Sequence, residues 1–182
     1  MTLILALEHR GKVHMIGDRI SVDSSDAARV VRDAKVFRSG EWLLGVAGCW
    51  RAMSLLKFKL RAPKISAADD VDRAVNVELV DSIRSLFTSE GYAKEAAEAG
   101  ETEWQLLAGL RGKLYFVDSE FSVWRSADGM DGAGHTVAIA AGTAALSAQR
   151  PINRPEKALR KAAQIAADGC SAIRGPFDYL TT

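Results

Sequence analysis

The sequence predicts an α+β fold. Three observations carry that reading. Strand-like apolar runs crowd the first 48 residues, ahead of any helical pattern. Two amphipathic stretches then follow one another. A second group of strands and a second pair of helical segments complete the chain. Runs of strands kept apart from paired helices favour sheets packed on helical layers over alternating βαβ units.

The elements read in order. "TLILALEH" and "KVHMIGD" are apolar runs joined by Arg10 and Gly11, which suits a tight hairpin turn. "RISVDSSDAARVVRD" is polar and irregular, a loop or short strands. "AKVFRSGEWLLGVAG" holds two strands around Ser39-Gly40. In "CWRAMSLLKFKL", Trp50, Met53, Leu56 and Leu60 recur at helical spacing. "ISAADDVDRAVNVELVDSIRSLFTSEG" is a second amphipathic helix, with Ser66 as N-cap, Gly91 as terminator and a stripe of Val75, Leu79, Ile83 and Leu86.

"YAKEAAEAGETE" reads as an exposed helix end and loop. "WQLLAGLRGKLYFVDSEFSVWRSADG" returns to strands, with a hairpin at Arg111-Gly112. "HTVAIAAG" is expected to be a buried strand running into a small-residue helix, "TAALSAQ". "RPEKALRKAAQIAADGCS" is the last helix, with Pro155 near its first turn, and "GPFDYLTT" is a closing strand. No repeat, linker or low-complexity segment divides residues 1–182, so a single domain is expected.

The totals exclude several classes. A formal net charge of +1 leaves no basic field for nucleic acid. Cys49 and Cys170 form no disulfide framework, which fits buried thiols in a reducing compartment. His9, His14 and His135 have no metal-ligand spacing and read as surface or structural residues. No apolar run reaches the roughly 18 residues of a membrane span. "TLILAL" lacks a basic lead and is shorter than the roughly 7–15-residue core of a secretory signal. A cytoplasmic location is therefore expected.

The chemistry begins at Thr2. Initiator methionine is removed when the next side chain is small, and threonine qualifies. Removal of Met1 would leave a free amine beside the Thr2 hydroxyl. An α-amine titrates near 7.7–8.0, so much of it is neutral at physiological pH and can take the hydroxyl proton. Three further features fit such a site. Asp18 ends the second strand. Lys35 is a lone lysine in an apolar strand and needs a carboxylate partner if buried. Gly48 ends a strand and opens a helix, where a backbone N–H can hold an oxyanion.

These positions resemble the N-terminal-nucleophile hydrolases of the proteasome β-subunit type, including the bacterial HslV-type peptidases and small bacterial proteasome homologues. "TLILALEHRGKVHMIGD" matches that family's opening from nucleophile to Gly-Asp. The resemblance implies a four-layer αββα sandwich. It implies Thr2 as nucleophile, Asp18 and Lys35 as charged partners, Gly48 as oxyanion glycine, and Asp168 and Ser171 as supporting groups. By the same match Val46 and Trp50 line the substrate pocket. Backbone carbonyls of Ala167, Cys170 and Ile173 would correspond to a structural mono- or divalent cation site, and no other cofactor is implied.

The family's activity is threonine peptidase action on peptides or unfolded proteins, inside stacked homo-oligomeric rings of six or seven subunits. An ATP-dependent unfoldase often feeds such rings. Two departures stand out. The family's Ser-Gly-Ser turn before a helix is matched to Ala141-Gly142-Thr143, which lacks the serine hydroxyl, and the loop from Asp18 to Lys35 is longer. The alternatives are a small-amide hydrolase of the same fold, and a ring-forming scaffold or binding subunit with weak or no catalysis.

Overall fold

The computed structural model describes residues 1–22, 28–92 and 103–182. Two antiparallel sheets organise it. Strands β1 (Leu3–His9), β2 (Lys12–Asp18), β10 (Met130–Gly134) and β11 (Phe177–Thr181) form one, in the order β10-β1-β2-β11. Strands β5 (Val36–Ser39), β6 (Trp42–Gly48), β7 (Trp104–Leu110), β8 (Lys113–Asp118) and β9 (Val123–Trp124) form the other, in sequence order. A short ribbon pairs β3 (Ile20–Val22) with β4 (Ala28–Val30).

Helix α1 spans Trp50–Phe58. Helix α2 runs on through Val71–Arg73, a π-helical stretch Ala74–Leu79, and Val80–Ser89. Helices α3 (Thr136–Ser147) and α4 (Pro155–Asp168) complete the chain's helices among the described residues.

The alternation of side chains along each strand explains the packing. Leu3, Leu5 and Leu7 of β1 join Ile16 in a cluster with α3 and α4. Ile4 and Ala6, between them, join Val13 and Met15 in a cluster with Leu43 and Leu107 of the other sheet. On that other sheet Leu44, Val46, Leu106 and Ala108 join Leu56 of α1 and Ile83 of α2. Strands buried on both faces must be apolar at every position, which is why "LILAL" does not alternate. The sheets approach closely where glycine faces them: a Cβ at Gly45 would lie 2.5 Å from Met15 Sδ, and one at Gly109 would lie 2.9 Å from Val13.

The two Arg-Gly hairpins form as expected. Arg10 and Gly11 have φ of 49° and 72°, and Arg111 and Gly112 have 48° and 79°, the paired positive values of a type I′ turn.

Three expectations need correction. Ser66 is not the cap of α2. Asp70 is, accepting a bond from the Asp72 N–H at 2.9 Å, while Ser66 N–H donates to Asp69 in a preceding turn. "HTVAIAAG" is not a strand: α3 begins at Thr136, and the strand is the preceding Met130–Gly134. An apolar run without polar punctuation fits a buried strand and a buried helix equally well.

Ala141-Gly142-Thr143 is consequently not a turn before a helix. It lies inside α3, where Gly142 lets the helix sit against Leu5, 2.6 Å from where a Cβ would be. The residues that turn into the helix are Gly134-His135-Thr136, so the missing hydroxyl at Ala141 does not bear on the site. Residues 23–27 of the polar loop and 93–102 of "YAKEAAEAGETE" lie outside the described residues.

Candidate active site

Thr2 stands directly ahead of β1, and Asp18 ends the neighbouring strand β2. Their positions follow from the register, in which Ile4 faces Gly17. Asp18 is fully buried and accepts the Leu3 N–H at 2.8 Å and the Ile20 N–H at 2.9 Å. Lys35 arrives from the other sheet, one residue ahead of β5, and is 2% exposed.

Lys35 Nζ is surrounded by oxygens. Thr2 Oγ1 lies at 2.9 Å, the Asp18 carboxylate oxygens at 3.1 and 3.2 Å, Ile20 O at 2.5 Å and Met1 O at 3.2 Å. An ammonium has three protons, so these acceptors share them. Burial lowers the Lys35 pKa, and the Asp18 carboxylate opposes that shift by Coulomb attraction and hydrogen bonding. The amine at the chain end is lowered as well, first by burial and then by the Lys35 charge, with Asp18 acting in the other direction. An α-amine held here is thereby biased toward its neutral, basic form.

The Thr2-Leu3 peptide unit is clamped at both ends. His135 N–H donates to Thr2 O at 2.8 Å, and Leu3 N–H donates to Asp18. Gly134 makes the approach feasible. Its φ is +118°, and a Cβ there would lie 2.0 Å from Thr2 O.

Gly48 closes the other side. Its φ is +99°, and a Cβ would lie 2.4 Å from Glu103 O. Val46 N–H donates to Lys35 O at 3.0 Å, while Cys49 N–H donates to Glu103 O at 3.3 Å. By strand alternation the Gly48 N–H lies on the Lys35 side, beyond the end of β5. A cavity of about 400 Å³ joins Thr2, Gly48, Gln105, Gly134 and His135.

The structure thus brings Thr2, Asp18, Lys35 and Gly48 together. It gives other expected residues different surroundings. Val46 is buried among α1 and α2 contacts and does not line the cavity; its backbone steadies Lys35. Trp50 donates to Ser21 Oγ at 2.7 Å, with its ring centroid 6.0 Å from Lys35 Nζ. Asp168 is exposed at the end of α4 and accepts from Gln164 at 2.7 Å. Ser171 is exposed in the next turn. Among the described contacts, neither bonds to Thr2 or Lys35. In the same turn Ala167 O accepts from Cys170 N–H at 3.3 Å, and Cys170 O from Ile173 N–H at 2.9 Å.

Two residues of the site escaped the sequence reading. His135 caps α3 against Thr2, and its Nδ1 lies 3.7 Å from Cys170 Sγ. Its position depended on reading α3 correctly. Gln105 had a signal: it is the only polar residue in the strand "WQLLAGL".

The two antiparallel sheets and the flanking helices make up a proteasome-like fold. Three of the solved structures that share it are the following. Eukaryotic HslV from Trypanosoma brucei is 22% identical, with a TM-score of 0.74 over 99% of this chain and 98% of that one. Thiobacillus denitrificans BPH in complex with epoxomicin is 14% identical, with a TM-score of 0.77 over 100% and 98%. Anbu from Pseudomonas aeruginosa, solved as a helical assembly, is 17% identical, with a TM-score of 0.68 over 100% and 81%. No family profile and no curated protein sequence matches the chain.

Proposed function

We propose that this chain is a threonine-type endopeptidase in which Thr2, freed of Met1, is the nucleophile. The observation that carries the reading is the 2.9 Å contact of Lys35 Nζ with Thr2 Oγ1, made inside a buried ion pair with Asp18. A lysine buried against an N-terminal threonine has no packing advantage there, since burying the charge costs free energy.

The chemistry balances without a cofactor. The neutral Thr2 amine accepts the hydroxyl proton as Oγ1 bonds to the substrate carbonyl carbon. The Gly48 N–H holds the resulting oxyanion. Collapse breaks the C–N bond, and the amine's proton passes to the leaving nitrogen. Water then adds to the ester and releases the acid, restoring Thr2. A cation at the carbonyls of Ala167, Cys170 and Ile173 would serve only to brace the turn.

The reading extends to assembly. The three apolar clusters support four layers, αββα, in one domain. We infer a cytoplasmic homo-oligomer of stacked rings, six or seven subunits each, that encloses the site and accepts peptide from an unfoldase. The helical assembly of the Pseudomonas Anbu structure supports self-association through this fold, without fixing its geometry here.

Intact mass before and after an epoxyketone tests the proposal. Loss of Met1 followed by one inhibitor mass per chain is expected. One observation favours a scaffold role instead: Met1 O has a partner in Lys35 at 3.2 Å, so a retained methionine is accommodated. A retained Met1, or a processed chain that takes no adduct, would establish that second reading.

A further inference from the structure

Strand β7 turns Gln105 toward the seam between the sheets. Trp104 and Leu106 belong to the α1–α2 cluster, whereas Leu107 lies in the inter-sheet cluster, so the odd positions face the other sheet. A primary amide on that apolar face costs free energy unless it is bonded. Gln105 Oε1 accepts the Gly134 N–H at 2.7 Å. The next N–H along, of His135, holds Thr2 O at 2.8 Å. Gln105 therefore secures the turn that secures the nucleophile's carbonyl.

The donor at the other end of the side chain remains. Because Gly134 supplies an N–H, the Gln105 oxygen must face it, and the amide nitrogen points away with two protons. Buried side-chain nitrogens and oxygens among the described residues all have partners. Gln105 is half-buried and lines the cavity that holds Thr2.

We propose that Gln105 is a substrate-binding residue, its Nε2 donating a hydrogen bond to a carbonyl oxygen of a peptide in the Thr2 cavity while its Oε1 positions the Gly134-His135 turn. The proposal deepens the peptidase reading and rests on it for the identity of the ligand.

The two ends of the side chain can be separated. Gln105→Glu keeps an acceptor for Gly134 and removes the donor. Gln105→Leu removes both. Binding is measured by calorimetry with an uncharged N-acetyl tripeptide amide on the Thr2→Ala protein, where no turnover occurs. The expected result is about fivefold weaker binding in Gln105→Glu, the weight of one neutral hydrogen bond.

Amide exchange at Gly134 reads the other end: faster in Gln105→Leu, unchanged in Gln105→Glu. Equal peptide affinity in the Gln105 and Gln105→Glu proteins, or no binding by either, would overturn the substrate role. The epoxyketone adduct on the Thr2 protein is scored in parallel. Gln105-dependent peptide binding without an adduct would remove the nucleophile and leave Gln105 standing. An adduct without that dependence would do the reverse.

Discussion

Lys35 and Thr2 stand just ahead of strands from different sheets and meet at 2.9 Å. Thr2 leads into β1 of the four-stranded sheet, and Lys35 leads into β5 of the five-stranded one. The contact exists only when the two sheets stack with Val36 near Gly17, 2.8 Å from where a Cβ would sit. The catalytic reading and the stacking of the sheets therefore stand or fall together.

The first prediction concerns that ion pair. Lys35→Met leaves the fully buried Asp18 carboxylate without its cation. Breaking a buried pair from one side typically costs about 3–5 kcal/mol. Urea unfolding should show a loss of that order. Adding Asp18→Asn should recover part of it, because the remaining buried group is then neutral. Equal loss in the single and double variants would mean that the charge pairing is not what matters.

Two glycines test close approach. Gly134→Ala would place a Cβ 2.0 Å from Thr2 O, and Gly48→Ala one 2.4 Å from Glu103 O, both at positive φ. Strain of this kind costs on the order of 1–3 kcal/mol per position. Both variants should lose thermal stability. Gly134→Ala should also slow epoxyketone labelling at least tenfold, read by intact mass against time.

The Thr2 amine, the proposed base, should titrate low. Burial and Lys35 lower the chain-end amine, and the same surroundings would receive the Thr2 amine after processing. Labelling requires the neutral amine, so its rate should rise with pH. The midpoint should fall below the ordinary α-amine range of about 7.7–8.0. A midpoint at or above that range would contradict the electrostatics of the site.

His14 should make the fold acid-sensitive. It is 8% exposed, bonds to the Tyr179 hydroxyl at 2.6 Å, and has a lowered pKa from burial, then from His9 and Lys12. A base whose folded pKa is lowered binds fewer protons when folded. Stability is then complete above the unfolded value of about 6.5 and declines as pH falls below it. The drop in Tm between pH 7.5 and 5.5 should be smaller in His14→Phe than in the parent. An equal drop would assign the acid sensitivity elsewhere.

Thr2→Ala should abolish peptide cleavage and leave the assembly unchanged by light scattering. Surviving activity would require a different nucleophile.

The sequence by itself pointed to most of the strands and helices, to the two Arg-Gly hairpins, and to Thr2, Asp18, Lys35 and Gly48 as residues that belong together. Those signals are local: an apolar run, a glycine where φ is positive, a charge where none packs easily. A short-range pattern could not decide whether "HTVAIAAG" was strand or helix, because both bury the same side chains. That choice put His135 rather than Ala141 against Thr2. Nor could local pattern bring Gln105 to Gly134, across 29 residues and between sheets. Such contacts arise only when apolar faces exclude water and stack, since burial is non-directional and the polar partners must then be found among whatever the stacking brings near.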